Sequence, residues 1–161
     1  VDTKKYTGTL EKVPIIPAGS APQTTDRYWV YLNSVAFTPP SGSSSSLYAN
    51  NPGVPVFLDS GGTVSSLPTP IFQAIGKAFL AAFPDTALDA TTGFYFVDCK
   101  IAASPGSLDF GFGGKVIKVA YKDIIWNLGQ PELGLCAVAV LPEDGRSTPY
   151  FGLAITFGGR D

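Results

Sequence analysis

The chain has 161 residues, a formal net charge of −2, 45% apolar and 15% charged residues, and no histidine. That balance is globular and not disordered, and the length allows one domain with a real core. No apolar run reaches the length of a membrane-spanning helix, no basic stretch offers a nucleic-acid footprint, and the lack of histidine excludes Ser-His-Asp triads, Cys-His pairs and His-ligated metal within the chain.

Glycine (18) and proline (14) supply 32 of the 161 residues and punctuate short apolar runs, the pattern of a mainly β fold with many turns. Tyr6–Ile16 reads as a first strand, with Leu10, Val13 and Ile15 as its apolar members, and 17–25 as a polar loop. Tyr28–Phe37 alternates: Tyr28, Val30 and Leu32 fall on one side, Trp29, Tyr31 and Val35 on the other, as in a strand covered on both faces. Thr38–Pro52, with Pro39-Pro40 and Ser43–Ser46, reads as a low-complexity surface loop. Val54–Leu58 has the apolar character of a buried strand. It delivers Asp59 into Ser60-Gly61-Gly62-Thr63, where the glycines imply a sharp reversal.

One long helix follows. In Pro68-Thr69-Pro70 the threonine hydroxyl is placed to cap it and Pro70 to occupy its first position. Ile71, Ile75, Phe79 and Ala82 then recur at helical spacing, a core-packing stripe, and Pro84 ends the run. Phe94–Cys99 is a short aromatic strand. Leu108, Phe110 and Phe112 alternate, Gly113-Gly114 turn and Val116–Ala120 return, which makes a hairpin. Tyr121–Trp126 reads as a single helical turn, and Leu135–Leu141 and Pro149–Phe157 as further strands. No internal repeat or long linker divides the chain.

The two cysteines leave two readings: one disulfide, Cys99 to Cys136, or two buried thiols. A disulfide implies an oxidising, extracellular setting, and a chain starting at Val1 implies that any signal segment has been removed. No Asn-x-Ser/Thr acceptor with a permitted middle residue is present.

Asp59 is the candidate for chemistry because it ends an apolar strand, precedes two glycines and has no competitor. Without histidine, a pair of carboxylates sharing one proton is the remaining acid/base device. Such a pair needs two acids in facing strand-turns, and this chain offers one. Asp98 and Asp109 lack a following Ser/Thr-Gly turn and read as surface or ladder residues. Gly111-Phe112-Gly113-Gly114-Lys115 has the wrong spacing for a phosphate loop and reads as a hairpin turn. No metal site and no cofactor is implied.

Taken in order, these segments resemble the C-terminal lobe of a pepsin-like aspartic endopeptidase of the secreted fungal and yeast type. The motif is Phe57-Leu58-Asp59-Ser60-Gly61-Gly62-Thr63-Val64-Ser65-Ser66-Leu67-Pro68, followed by the helix, then Val97-Asp98-Cys99, then Cys136, then the apolar pair plus glycine Tyr150-Phe151-Gly152. Tyr6-Thr7-Gly8-Thr9-Leu10 resembles the segment that crosses between lobes. The resemblance spans nearly the whole chain.

The resemblance implies a mainly β protein, one lobe of the bilobal pepsin-like acid protease fold, over residues 1–161. Asp59 is then one catalytic aspartate of a two-chain endopeptidase, and an N-terminal lobe polypeptide on another chain, without which it is inactive, carries the other together with the substrate-covering flap. Ser60 and Gly61 support the dyad, and Gly61, Gly62 and Thr63 line the substrate's path. Peptide or protein substrates and pepstatin-type inhibitors are the implied ligands, and a secreted location is implied. Two departures stand out. The family commonly has threonine where Gly62 stands, donating to the outer oxygen of the aspartate. Only nine residues follow Gly152, so the closing strand is expected to be missing or supplied elsewhere. Two other readings are a catalytically impaired binding or inhibitor-like protein on this scaffold, and a homodimer with an Asp59/Asp59 dyad.

Overall fold

The computed structural model describes residues 10–20, 28–128 and 133–143, and the backbone of 152–153. The elements in order are β1 (Trp29–Thr38), β2 (Ser45–Leu58), β3 (Ser65–Leu67), α1 (Thr69–Ala82), β4 (Ala87–Leu88), β5 (Tyr95–Asp98), β6 (Ser107–Phe112), β7 (Lys115–Ala120), α2 (Tyr121–Ile124), β8 (Ile125–Asn127), β9 (Leu135–Val138), β10 (Val140–Pro142) and β11 (Gly152–Leu153). They form a five-stranded sheet in the order β11-β2-β1-β6-β7, a four-stranded sheet in the order β4-β5-β9-β8 and the parallel pair β10-β3.

β1 organises the larger sheet, pairing antiparallel with β2 on one side and β6 on the other. A register shift between Leu32 and Ser34 moves the inward-facing set from Val30 and Leu32 to Val35 and Phe37. Simple alternation puts Val35 on the Trp29 side, so the shift corrects that expectation: Val35 joins Val30 and Leu32 in the core. Tyr28 stands just outside the strand and is exposed. β2 begins at Ser45, so the expected loop over Thr38–Pro52 shrinks to the hairpin tip. Ser45, Ser46, Tyr48 and Ala49 sit in a strand because β1 supplies their partners, and Asn50–Gly53 fall within the register shift. Gly53 is required at the same crossing, since a Cβ there would collide with the Leu32 carbonyl.

Helix α1 packs Ile71, Phe72, Ile75 and Phe79 against the core faces of both larger sheets' strands, with Phe79 against Phe37 (5.1 Å between ring centroids) and Tyr121 (5.6 Å). Burying a side chain of this size contributes roughly 1.5–3 kcal/mol. The helix begins one residue earlier than expected. Pro68 takes the cap position without a side-chain hydrogen bond, its carbonyl accepting from Ile71 and Phe72 N–H, and Thr69 lies inside the first turn. The Thr69 hydroxyl is therefore not a cap and has no partner among the described residues. Pro70 is tolerated there because the N–H groups of the first turn have no intrahelical acceptor.

Other boundaries are also sharper than the sequence pattern. The described part of the expected first strand, from Leu10 on, has no regular structure, although Ile16 N–H donates to Trp29 O at 2.8 Å; Tyr6–Thr9 lie outside the described residues. The run Leu135–Leu141 is two strands, β9 and β10, broken at Ala139, whose N–H donates to Ile124 O and whose carbonyl accepts from Ser65 N–H. The helical turn after Tyr121 ends at Ile124, and β8 follows. Of the expected strand Pro149–Phe157, only Gly152–Leu153 is described, and the question of a closing strand falls on residues outside the description. The hairpin of β6 and β7 stands as expected. Cys99 and Cys136 are joined in a disulfide (S–S 2.06 Å), which selects between the two cysteine readings and ties the start of a 3-10 turn to β9.

Asp109 is in the sheet ladder but is not a surface residue: it is 5% exposed. Its carboxylate accepts from Ser107 Oγ at 2.6 Å, Lys118 Nζ at 2.9 Å and Thr38 Oγ1 at 3.3 Å. A buried carboxylate is stable only with such donors. Tyr121, fully buried nearby, donates its hydroxyl to Thr38 O at 2.9 Å. Burial first, and the Asp109 charge second, hold its phenol well above the usual range. The folded state therefore retains this proton at pH values where the unfolded chain releases it, above about pH 10. The stability it contributes is complete below that point and is lost as the pH rises toward the raised value. Tyr121→Phe is expected to cost about 1 kcal/mol at neutral pH through the lost hydrogen bond and to make the alkaline loss of stability shallower. Urea unfolding midpoints across the alkaline range test this, and an unchanged slope would show that Tyr121 ionisation is not coupled to folding.

Candidate active site

Asp59 lies immediately beyond the end of β2, and the backbone builds its surroundings. The strand that delivers it is flanked on one side by β1, with Trp29 opposite Phe57, and on the other by β11, which runs parallel with Gly152 opposite Phe57 and Leu153 opposite Leu58. Leu58 N–H donates to Tyr28 O at 3.1 Å, and the rings of Trp29 and Phe57 meet at 5.8 Å. The strand that leaves the turn, β3, is held by parallel pairing to β10 and by Ser65 N–H donating to Ala139 O at 3.0 Å. Both arms of the Asp59 turn are thus fixed by backbone ladders from later parts of the chain.

Within the turn, Gly61 N–H donates to Asp59 Oδ1 at 2.8 Å. This closes a local ring that holds the carboxylate against its own backbone, the Asp side chain standing in for a turn carbonyl. A Cβ on residue 61 would lie 3.3 Å from the same oxygen, so glycine leaves the carboxylate uncrowded. Asp59 and Gly62 are half-buried, whereas Ser60, Gly61 and Thr63 are exposed. Gly62 does not use the left-handed backbone region.

The structure thus keeps Asp59, Ser60, Gly61, Gly62 and Thr63 together on one open turn. It commits the other sequence candidates elsewhere: Asp98 caps its own 3-10 turn by accepting from Lys100 N–H at 2.8 Å, and Asp109 belongs to the cluster around Lys118. Among the described residues no group of three or more His, Cys, Asp or Glu is placed to hold a metal ion. Two residues beside the turn escape the sequence pattern: Tyr28 and Leu58 are large apolar side chains, 66% and 39% exposed, on adjoining backbone. The alternation around Tyr28 and the apolar run ending at Leu58 signalled burial, yet both side chains are exposed although their backbones are bonded to each other. One carboxylate held by one backbone N–H is a positioned acid or base. Taken alone it has no second group with which to share a proton.

Comparison with known proteins extends these observations. A family model described as "Eukaryotic aspartyl protease" matches residues 1–154. The chain is 28% identical to "Secreted aspartic protease 9" of Candida albicans over 92% of its own length and 26% of that protein. It is 29% identical to "Probable aspartic-type endopeptidase OPSB" of Arthroderma otae over 96% of its length and 30% of that protein, and 25% identical to "Aspartic proteinase yapsin-3" of Saccharomyces cerevisiae over 94% and 28%. The chain therefore spans less than a third of the length of these fungal relatives. In fold it is similar to an aspartic proteinase from Irpex lacteus, with a TM-score of 0.61 at 20% identity, covering 96% of this chain and 44% of that one. With a mainly β architecture, one main helix after the Asp59 turn and a family match over nearly its whole length, this chain belongs to the eukaryotic aspartyl protease family.

Proposed function

We propose that these residues are the C-terminal lobe of an aspartic endopeptidase, and that Asp59 forms a catalytic dyad with an aspartate from an N-terminal lobe outside them. The observation that carries the reading is the Asp59 turn: a half-buried carboxylate fixed by Gly61 N–H, clamped through β2 and β3, on a turn whose Ser60, Gly61 and Thr63 are exposed. Two carboxylates about 3 Å apart cannot both ionise, so the pair holds one proton and titrates as a unit. The charged member takes a proton from a water that attacks the peptide carbonyl carbon. The neutral member gives its proton to the carbonyl oxygen. Collapse of the tetrahedral intermediate then breaks the C–N bond, and the amine leaves with a proton returned from the dyad.

In this arrangement Ser60 hydrogen-bonds across the base of the dyad, and Gly61, Gly62 and Thr63 border the bound peptide. The exposed Tyr28 and Leu58 offer apolar surface beside the scissile bond. The disulfide and the name of the Candida relative favour passage through a secretory route. A catalytically impaired binding protein is the second reading, favoured by Gly62, which lacks the hydroxyl that would donate to the outer carboxylate oxygen.

Three outcomes test these roles. Asp59→Asn in the complete protein should leave it folded and lower kcat by about 10⁴-fold, the scale seen when one member of a catalytic unit is removed. Acid proteolysis with and without pepstatin, on material whose chains are all identified by intact mass, reads this out; pepstatin-insensitive activity that survives the substitution would rule out the dyad. Gly61→Ala should crowd Asp59 Oδ1 and lower kcat on the order of 100-fold with little change in the unfolding midpoint. Gly62→Thr adds a charge-assisted bond worth roughly 1.5–3 kcal/mol to the ionised carboxylate. It should move the acid limb of the kcat/KM profile to lower pH, and an unmoved limb would show that the residue does not reach the dyad.

A further inference from the structure

The hairpin of β1 and β2 ends in a feature that the chemistry at Asp59 does not use. Its tip is a β-turn in which Gly42 N–H donates to Pro39 O at 2.9 Å, with Gly42 at φ +90°. Pro40 occupies the turn position that favours proline. The turn presents a run of hydroxyls: Ser41, Ser43, Ser44, Ser45 and Ser46 are all exposed. Among the described residues only Ser45 engages its hydroxyl, donating to Phe37 O at 3.4 Å. None of these serines contributes to the core.

A second observation concerns the strand that follows. β2 pairs with β1 along one edge, whereas on its other edge β11 reaches only Phe57 and Leu58. Among the described residues the edge from Ser45 to Asn51 therefore has no strand partner. Such an edge is a template for pairing between molecules, commonly blunted by charge. From Thr38 through Leu58 the sequence contains no charged residue. Pro52 and the register shift against β1 blunt the far part of this edge, and the hydroxyl run lies at its start.

We propose that the Pro39–Ser46 tip is an O-glycosylation site whose serines carry hexoses. The proposal rests on the secretory reading given above. A serine Oγ attacks the anomeric carbon of a glycosyl phosphate donor held by a transferase. The new bond joins Oγ to that carbon, the sugar–phosphate bond breaks with its electron pair going to phosphate, and the hydroxyl proton passes to the transferase's base. The hairpin tip and Asp59 lie at opposite ends of β2, on the order of 30 Å apart along the strand. A glycan there covers the open edge and leaves the Asp59 turn clear.

Peptide mass mapping of the complete protein from its native source tests the proposal, before and after chemical release of O-linked sugars. The expected result is a ladder of hexose masses on the peptide containing Ser41–Ser46, collapsing to one mass on release. Combining Ser41→Ala, Ser43→Ala, Ser44→Ala, Ser45→Ala and Ser46→Ala should abolish the ladder, change kcat/KM less than about twofold and increase aggregation on storage. A bare peptide in protein whose Cys99–Cys136 bond is formed overturns the proposal and leaves the secretory reading standing. A bare peptide with both cysteines reduced overturns the two together. Hexoses found only on other peptides also overturn it.

Discussion

The backbone pairing that closes on both arms of the Asp59 turn is the constraint on which the rest of the structure depends. β2 enters the turn between β1 and β11, β3 leaves it beside β10, and the Gly61 amide takes the carboxylate itself. These contacts come from segments far apart in the chain. The carboxylate's position therefore depends on the fold that fixes both arms of the turn as well as on the local bond from Gly61 N–H. An Asp-Ser-Gly turn on a frayed strand would sample many orientations, and the reacting geometry of a dyad tolerates little of that.

The core exists to hold those ladders in register. Helix α1 lays Phe79 against Phe37 and Tyr121, so the helix that follows the turn is pinned to the strand pair that precedes it. Tyr121 in turn bonds the Thr38 carbonyl at the far end of β1, beside the Asp109 cluster. The disulfide fastens β9, and β9 leads through Ala139 into β10. A disturbance at Cys136 or Tyr121 has a short covalent and packed path to the strands that flank Asp59.

Much of this was legible in the sequence. The apolar stripe of α1, the hairpin around Gly113-Gly114 and the strand-turn acid all follow from period and turn chemistry. Two of the misplacements, at the start of β2 and at Val35, were decided by a partner that is distant in sequence, whereas the one at Thr69 was decided by its neighbour. Ser45–Ala49 looks like a loop until β1 supplies its ladder. Val35 changes face because of a register shift that alternation cannot encode. Thr69 loses its capping role because Pro68 already accepts the first helical N–H groups. At the site, the aspartate and its glycines were readable, whereas the exposure of Tyr28 and Leu58 was not, since both carry the signature of buried residues.

The family match over residues 1–154 makes this chain a member of the eukaryotic aspartyl proteases, and the dyad proposed for Asp59 requires a second carboxylate beside it. A crystal structure of the complete protein bound to a pepstatin-type inhibitor measures the missing quantity, the separation between the Asp59 carboxylate and its nearest neighbouring carboxylate. A second aspartate about 3 Å away, from a lobe outside these residues, is the predicted result. Asp59 facing the inhibitor with no second carboxylate in hydrogen-bond reach would contradict the dyad.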